Sequence, residues 1–158
     1  MVVEAIMENS VLDKNKLLFW SILENKVSTW DVLQKRCFVG SIWCCFCRED
    51  VESAHHLFLG CPFSQQVWSE VISLLNLRSA WSGNSVEEAL SSWWRDEGAQ
   101  NHKAAPLIIN WGIWIARNEV IFNGRSFSPS DIASKASGIL LGFRSSYQET
   151  QCNPREYR

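Results

Sequence analysis

Trp43-Cys44-Cys45-Phe46-Cys47-Arg48-Glu49-Asp50-Val51-Glu52-Ser53-Ala54-His55-His56-Leu57-Phe58-Leu59-Gly60-Cys61 places three thiols and an imidazole in the order Cys-x2-Cys-x8-His-x4-Cys, at Cys44, Cys47, His56 and Cys61. Zinc favours four tetrahedral sulfur and nitrogen ligands. A Cys-x2-Cys turn aims two thiolates at one ion, and a later His and Cys close the shell. A filled shell leaves no position for water, so the motif reads as a structural zinc site whose metal contributes directly to folding. His55 is the alternative to His56 and would give x7 and x5 spacings; His56 gives the x4 spacing shared with zinc knuckles. Cys45 lies between the first two ligands and points away from the ion in a normal turn. Cysteine is also a common core residue, and a disulfide is the other use of such a cluster. Six cysteines gathered mostly in one short segment, with no signal peptide, instead point to a reducing compartment.

Outward from this loop, pattern and punctuation predict an all-α chain. Residues 12–24 place Leu12, Lys16, Phe19, Trp20 and Leu23 on one helical stripe. Ser28 followed by Asp31 resembles a capping box for a second helix, with Trp30, Leu33 and Cys37 on one face and Gly40 as its stop. Glu52-Ser53 can start a short helix that presents His56. Pro62 suits the first turn of the next helix, which repeats Val67, Trp68, Val71, Ile72 and Leu75 through about Leu77. Gly83-Asn84 marks a loop, and the Ser85/Glu88 capping box starts a helix that turns Leu90, Trp93 and Trp94 inward before stopping at Glu97-Gly98. A longer helix is expected from Ala104 to Phe122, with Pro106 in its first turn, Asn123-Gly124 as its stop, and Ile108, Trp111, Ile115 and Phe122 along one side. Ser128-Pro129 begins the last helix, whose apolar face is Ile132, Ala136, Ile139, Leu140 and Phe143. The expected organisation is a zinc-binding helical domain at 12–78, a helical extension at 79–150 and a tail at 151–158.

The 46% hydrophobic, 20% charged composition is that of a globular domain, and 158 residues suffice to bury a core. Net charge is −2, so the chain as a whole has no electrostatic footprint for nucleic acid. Nine tryptophans supply large buried surfaces. No apolar run reaches the eighteen or so residues of a membrane span, and nothing marks secretion, so an intracellular location, nucleus or cytoplasm, is expected.

The stretches Trp43-Cys44-Cys45-Phe46-Cys47, Glu52-Ser53-Ala54-His55-His56-Leu57-Phe58-Leu59-Gly60-Cys61-Pro62-Phe63 and Val67-Trp68 resemble the reverse-transcriptase zinc-binding domain of plant non-LTR retrotransposons. The resemblance runs upstream through Phe19-Trp20 and the segment from Asn25 to Arg36. Downstream, Trp111-Gly112-Ile113-Trp114-Ile115-Ala116-Arg117-Asn118 looks like the segment that leads toward a ribonuclease H domain. Roughly residues 15 to 125 are covered. The resemblance implies zinc as cofactor, Cys44, Cys47, His56 and Cys61 as ligands, no role for Cys45, and an origin as a fragment of a retrotransposon polyprotein.

The catalytic parts of such a polyprotein are missing from the sequence. The palm domain of the family carries its metal-binding carboxylates on a Tyr-x-Asp-Asp type turn, and none occurs here. The adjacent acids Glu49-Asp50, Glu87-Glu88 and Asp96-Glu97 sit as loop or cap charges, and no Gly-rich phosphate loop is present. Cys37 and Cys152 with His55 or His102 form no specific nucleophile–base signature. The expected role is therefore non-enzymatic: positioning RNA or single-stranded DNA, with Lys35, Arg36, Arg48 and Arg117 as candidate phosphate contacts. The alternatives are a zinc-stabilised protein–protein interaction module and a relic with no present function.

Overall fold

The computed structural model describes residues 13–151, with side chains placed over 14–142. Leu12, the side chain of Phe143 and the tail from 152 lie outside the described residues. The elements are α1 (Asp13–Leu23), α2 (Trp30–Lys35), a single π turn (His56–Gly60), α3 (Pro62–Leu74), α4 (Val86–Arg95), a 3-10 turn (Glu97–His102), α5 (Ala105–Asn123) and α6 (Pro129–Gln151). No strand forms among the described residues; the one β feature is an isolated antiparallel bridge between Trp43 and Val51.

Helix ends follow the local chemistry of the chain. Ser85 accepts from the Glu88 amide at 3.1 Å, while the Glu88 carboxylate accepts from the Asn84 amide at 2.8 Å. At α6 the Ser128 hydroxyl accepts from the Asp131 amide and Asp131 accepts from the Ser128 amide. That reciprocal bond holds the Asp131 carboxyl below its usual range. Asn25, Cys37 and Asn76 take left-handed backbone just past α1, α2 and α3, and Gly124 does so at φ 62° after α5.

One core joins the two halves of the chain. α3 packs on α6, α5 on α6 and α1 on α5, so residues 12–78 and 79–150 share a continuous cluster running from Leu18 to Leu140. Trp68 of α3 stacks on Trp81 at 4.4 Å and meets the edge of Trp93 of α4 at 5.2 Å. Such pairs add directional attraction to the large apolar area they remove from water.

Several expected faces are corrected. Trp20 is 46% exposed; α1 buries the expected Lys16 and Phe19, joined by Leu18 and Ile22. α2 buries Val32 and stops at Lys35, with Cys37 exposed beyond it. In α5 the buried set is Ala105 to Asn110, then Ile113, Ala116 and Arg117, while Ile115 and Phe122 face outward. Helix α5 is apolar on nearly every side, so periodicity does not single out the packed face. In α6, Ala133 and Ser137 are buried in place of Ile139. Trp94 is half-buried, with Lys103 over its ring. The 3-10 turn at 97–102 continues a segment expected simply to stop, because Asp96 caps it by accepting from the Gly98 amide at 2.8 Å.

α2 takes its cap from a distant residue. Thr29 precedes the helix, but its hydroxyl donates to Asp31 at 2.5 Å and caps nothing. The first two amides of α2 both go to Glu52: Trp30 donates to its Oε1 at 3.0 Å and Asp31 to its carbonyl at 3.3 Å. Glu52 is completely buried, and Arg117 of α5, 2% exposed, meets its carboxylate with Nη2 to Oε1 at 2.6 Å and Nε to Oε2 at 3.1 Å. The guanidinium also donates to the Ser28 carbonyl at 3.4 Å and to Asn118 at 3.0 Å, and it lies over the Trp114 ring.

Removing either charge leaves the other buried and unpaired. Glu52→Gln or Arg117→Met is expected to cost about 3–5 kcal/mol in urea unfolding. The double variant should lose clearly less than the sum; strict additivity would show that the pair is not coupled.

Candidate metal centre

The motif folds as a knuckle followed by a wide turn. Bridged at Trp43 and Val51, the chain reverses through Cys44 to Asp50, with the Cys44 amide donating to the Asp50 carbonyl at 2.8 Å and the Arg48 amide to the Cys44 carbonyl at 2.9 Å. Arg48 sits at the tip with φ 56°. This turn carries Cys44 and Cys47 on the same side, as a Cys-x2-Cys spacing requires.

His56 and Cys61 are brought together by the π turn. Its closing bond runs from the Cys61 amide to the His56 carbonyl at 2.6 Å, so residue i+5 returns alongside residue i. Ser53 starts the turn by accepting from the His56 amide at 3.0 Å. Three carbonyls find partners outside the turn: Leu57 accepts from the Ser64 hydroxyl, Phe58 from Trp81 Nε1 at 2.9 Å and Leu59 from Gln65. The register that buries His56 leaves His55 exposed, and it is His56 whose ring nitrogen lies among the three sulfurs.

The four donor atoms lie within 4.8 Å of one another. The sulfurs of Cys44 and Cys61 are 3.8 Å apart, and Cys47 Sγ is 3.3 Å from His56 Nε2. Ligands about 2.3 Å from a tetrahedral ion are themselves separated by roughly 3.8 Å, so the cluster fits zinc. His56 presents Nε2 to the sulfurs and turns Nδ1 toward Asp50 Oδ2, 3.6 Å away, a contact too long for a hydrogen bond but on the side where a carboxylate supports a metal-binding imidazole. Four protein donors close the shell, and the ion they hold supplies cross-linking.

The surroundings favour thiolate at this position. The bond from Cys44 lowers the Cys61 thiol, against the opposing effect of burial, and the Ser64 and Phe63 amides at the amino end of α3 lower it further. Cys44 is raised, first by that same bond and then by burial, although the Cys47 and Phe46 amides act in the opposite direction. Of the two thiols, Cys61 is therefore the one that gives up its proton more readily. Cys45 belongs to neither set: burial, then the charges of Cys44 and Glu52, push its thiol up to about 12.

Of the cations proposed from sequence, Lys35 and Arg36 are exposed at the end of α2, and Arg48 is exposed at the knuckle's tip. Arg117 is corrected: its guanidinium is buried against Glu52 and is unavailable to phosphate. Sequence reading missed Glu52 and Asp50 as supports of the site. The signal for Glu52 was an acid inside a motif otherwise destined for burial.

The purified protein is expected to hold one zinc per chain, and Cys47→Ser or Cys61→Ser should release it with loss of helicity; metal-free protein of unchanged circular dichroism would refute this. Zinc displaces the Cys44 proton, so apparent affinity should rise with pH. His56→Ala should abolish tight binding and His55→Ala leave it intact.

Residues 2–68 match the family model for zinc-binding in reverse transcriptase. No curated protein and no solved structure matches the chain. The family match contains all four ligands and ends at Trp68, short of the Trp111–Asn118 segment that supplies Arg117. With its ligand set assembled in the geometry that zinc requires, the segment from residue 2 to residue 68 is similar to the zinc-binding domain of reverse transcriptase.

Proposed function

We propose that the chain is a non-catalytic, zinc-stapled piece of a non-LTR retrotransposon polyprotein whose role is to hold RNA or single-stranded DNA beside the polymerase region. The observation that carries this reading is the segment from the end of α2 to the knuckle's tip. Lys35, Arg36 and Arg48 are exposed there, interleaved along the chain with Phe38 at 59% and Trp43 at 51% exposure. Cations that follow a phosphate backbone, alternating with aromatic faces on which bases stack, make up the usual surface for single strands. Its sequence tolerance suits a protein that must travel along a template. No helix among the described residues is long and apolar enough to cross a membrane.

A protein partner is the second reading, favoured by Val39 at 98% exposure between Phe38 and Trp43. Contiguous exposed apolar side chains of this kind also mark interaction surfaces.

Salt separates the two. Binding of a fluorescent single-stranded oligonucleotide should weaken as salt rises, and Lys35→Gln/Arg36→Gln should reduce the slope of log K against log salt by about 1.4. Absence of binding at low salt would reject the nucleic-acid role and favour the protein partner.

A further inference from the structure

Where the knuckle meets the end of α5, the fold leaves a cavity of about 290 Å³. Its walls include Phe46 and Arg48 of the knuckle, Phe63 of the first turn of α3, and Arg125 and Phe127 beyond α5. We infer that this cleft seats one nucleotide of a bound single strand, with its base against the phenylalanines and its phosphate between Arg48 and Arg125. The inference rests on the nucleic-acid reading above and gives it a location.

The chemistry of the walls selects this occupant. Phe46 and Phe63 stack on each other at 4.1 Å with rings 5° from parallel, so one wall is a rigid aromatic surface already formed. Little ordering remains to be done when a planar group enters. Two arginines line the same cleft, and guanidinium matches phosphate oxygens in a two-point geometry. Arg125 is 68% exposed and pairs with Glu119 at 3.2 Å, an exposed contact that a phosphate can replace. Arg48 holds a left-handed backbone at the knuckle tip, a conformation that glycine adopts freely and arginine only at a cost. The cleft also spans the zinc-binding segment and the helices downstream of it, so one nucleotide would touch both.

The test is competition and direct binding on the zinc-loaded full chain, with a short oligothymidylate, thymidine monophosphate and inorganic phosphate as probes. Arg48→Gln/Arg125→Gln should lower the salt slope for the oligonucleotide by about 0.7, one phosphate's worth, beyond any effect at Lys35 and Arg36. Phe127→Leu keeps the side chain apolar while removing the ring, and should weaken oligonucleotide binding roughly tenfold with zinc content and helicity unchanged. An unaltered oligonucleotide affinity in Arg48→Gln/Arg125→Gln, alongside weakening by Lys35→Gln/Arg36→Gln, would overturn the cleft while leaving the nucleic-acid role standing. Failure of the unaltered protein to bind any strand at low salt would remove both. Monophosphate competing as well as the strand would overturn the strand as occupant, and inorganic phosphate competing as well as the monophosphate would overturn the seat for the base.

Discussion

The carboxylate of Glu52 is the point at which the structure is tied together. It lies one residue past the knuckle's bridge, accepts the first amide of α2 and receives the bidentate guanidinium of Arg117 from α5. Its own amide donates to the Ile42 carbonyl across the knuckle at 2.9 Å. A buried ion pair is a weak source of net stability, since desolvating two charges offsets most of their attraction. What it supplies here is register. The observed placement of α5 against the knuckle satisfies both charges, the α2 amides and the Ser28 carbonyl together. The apolar contacts around them are less selective.

The metal centre and this ion pair divide the work differently. Cys44, Cys47, His56 and Cys61 lie within eighteen residues, and their geometry follows from two local devices, the Cys-x2-Cys turn and the π turn. Because those devices are local, the ligand set needs little help from the rest of the fold to assemble. Glu52 sits inside the same segment but looks the other way, toward helices that the zinc never touches. The segment therefore has a face organised by a cation it binds and a face organised by a cation the chain itself provides.

The difference explains what could be read from the sequence. Ligand spacing, the Ser85/Glu88 box, Pro62 at the start of α3 and Gly124 at the end of α5 are short-range signals, and each appears in the fold where the residues place it. Arg117 was legible only as a cation and was assigned to the surface. Its partner is 65 residues away, and no periodicity encodes that separation. A charge at the end of the apolar run Ile108 to Ala116 was the available hint. The faces of α5 were obscure for a related reason: where nearly every position is apolar, burial is decided by which neighbours arrive. The π turn has no compositional signature, although the x4 spacing already favoured His56 over His55, and His56 is the histidine that joins the cluster.

During synthesis from the amino end, the Glu52–Arg117 pairing acquires a time order. The ligand set is complete once Cys61 has emerged, yet Arg117 follows 56 residues later, a delay of several seconds at about 5–20 residues per second. Through that interval the nascent knuckle can bind its ion while the Glu52 carboxylate still has only water and the α2 amides for company. The order of synthesis thus lets metal capture come before docking, so that a zinc-bound knuckle can offer a prearranged acid to the arriving helix.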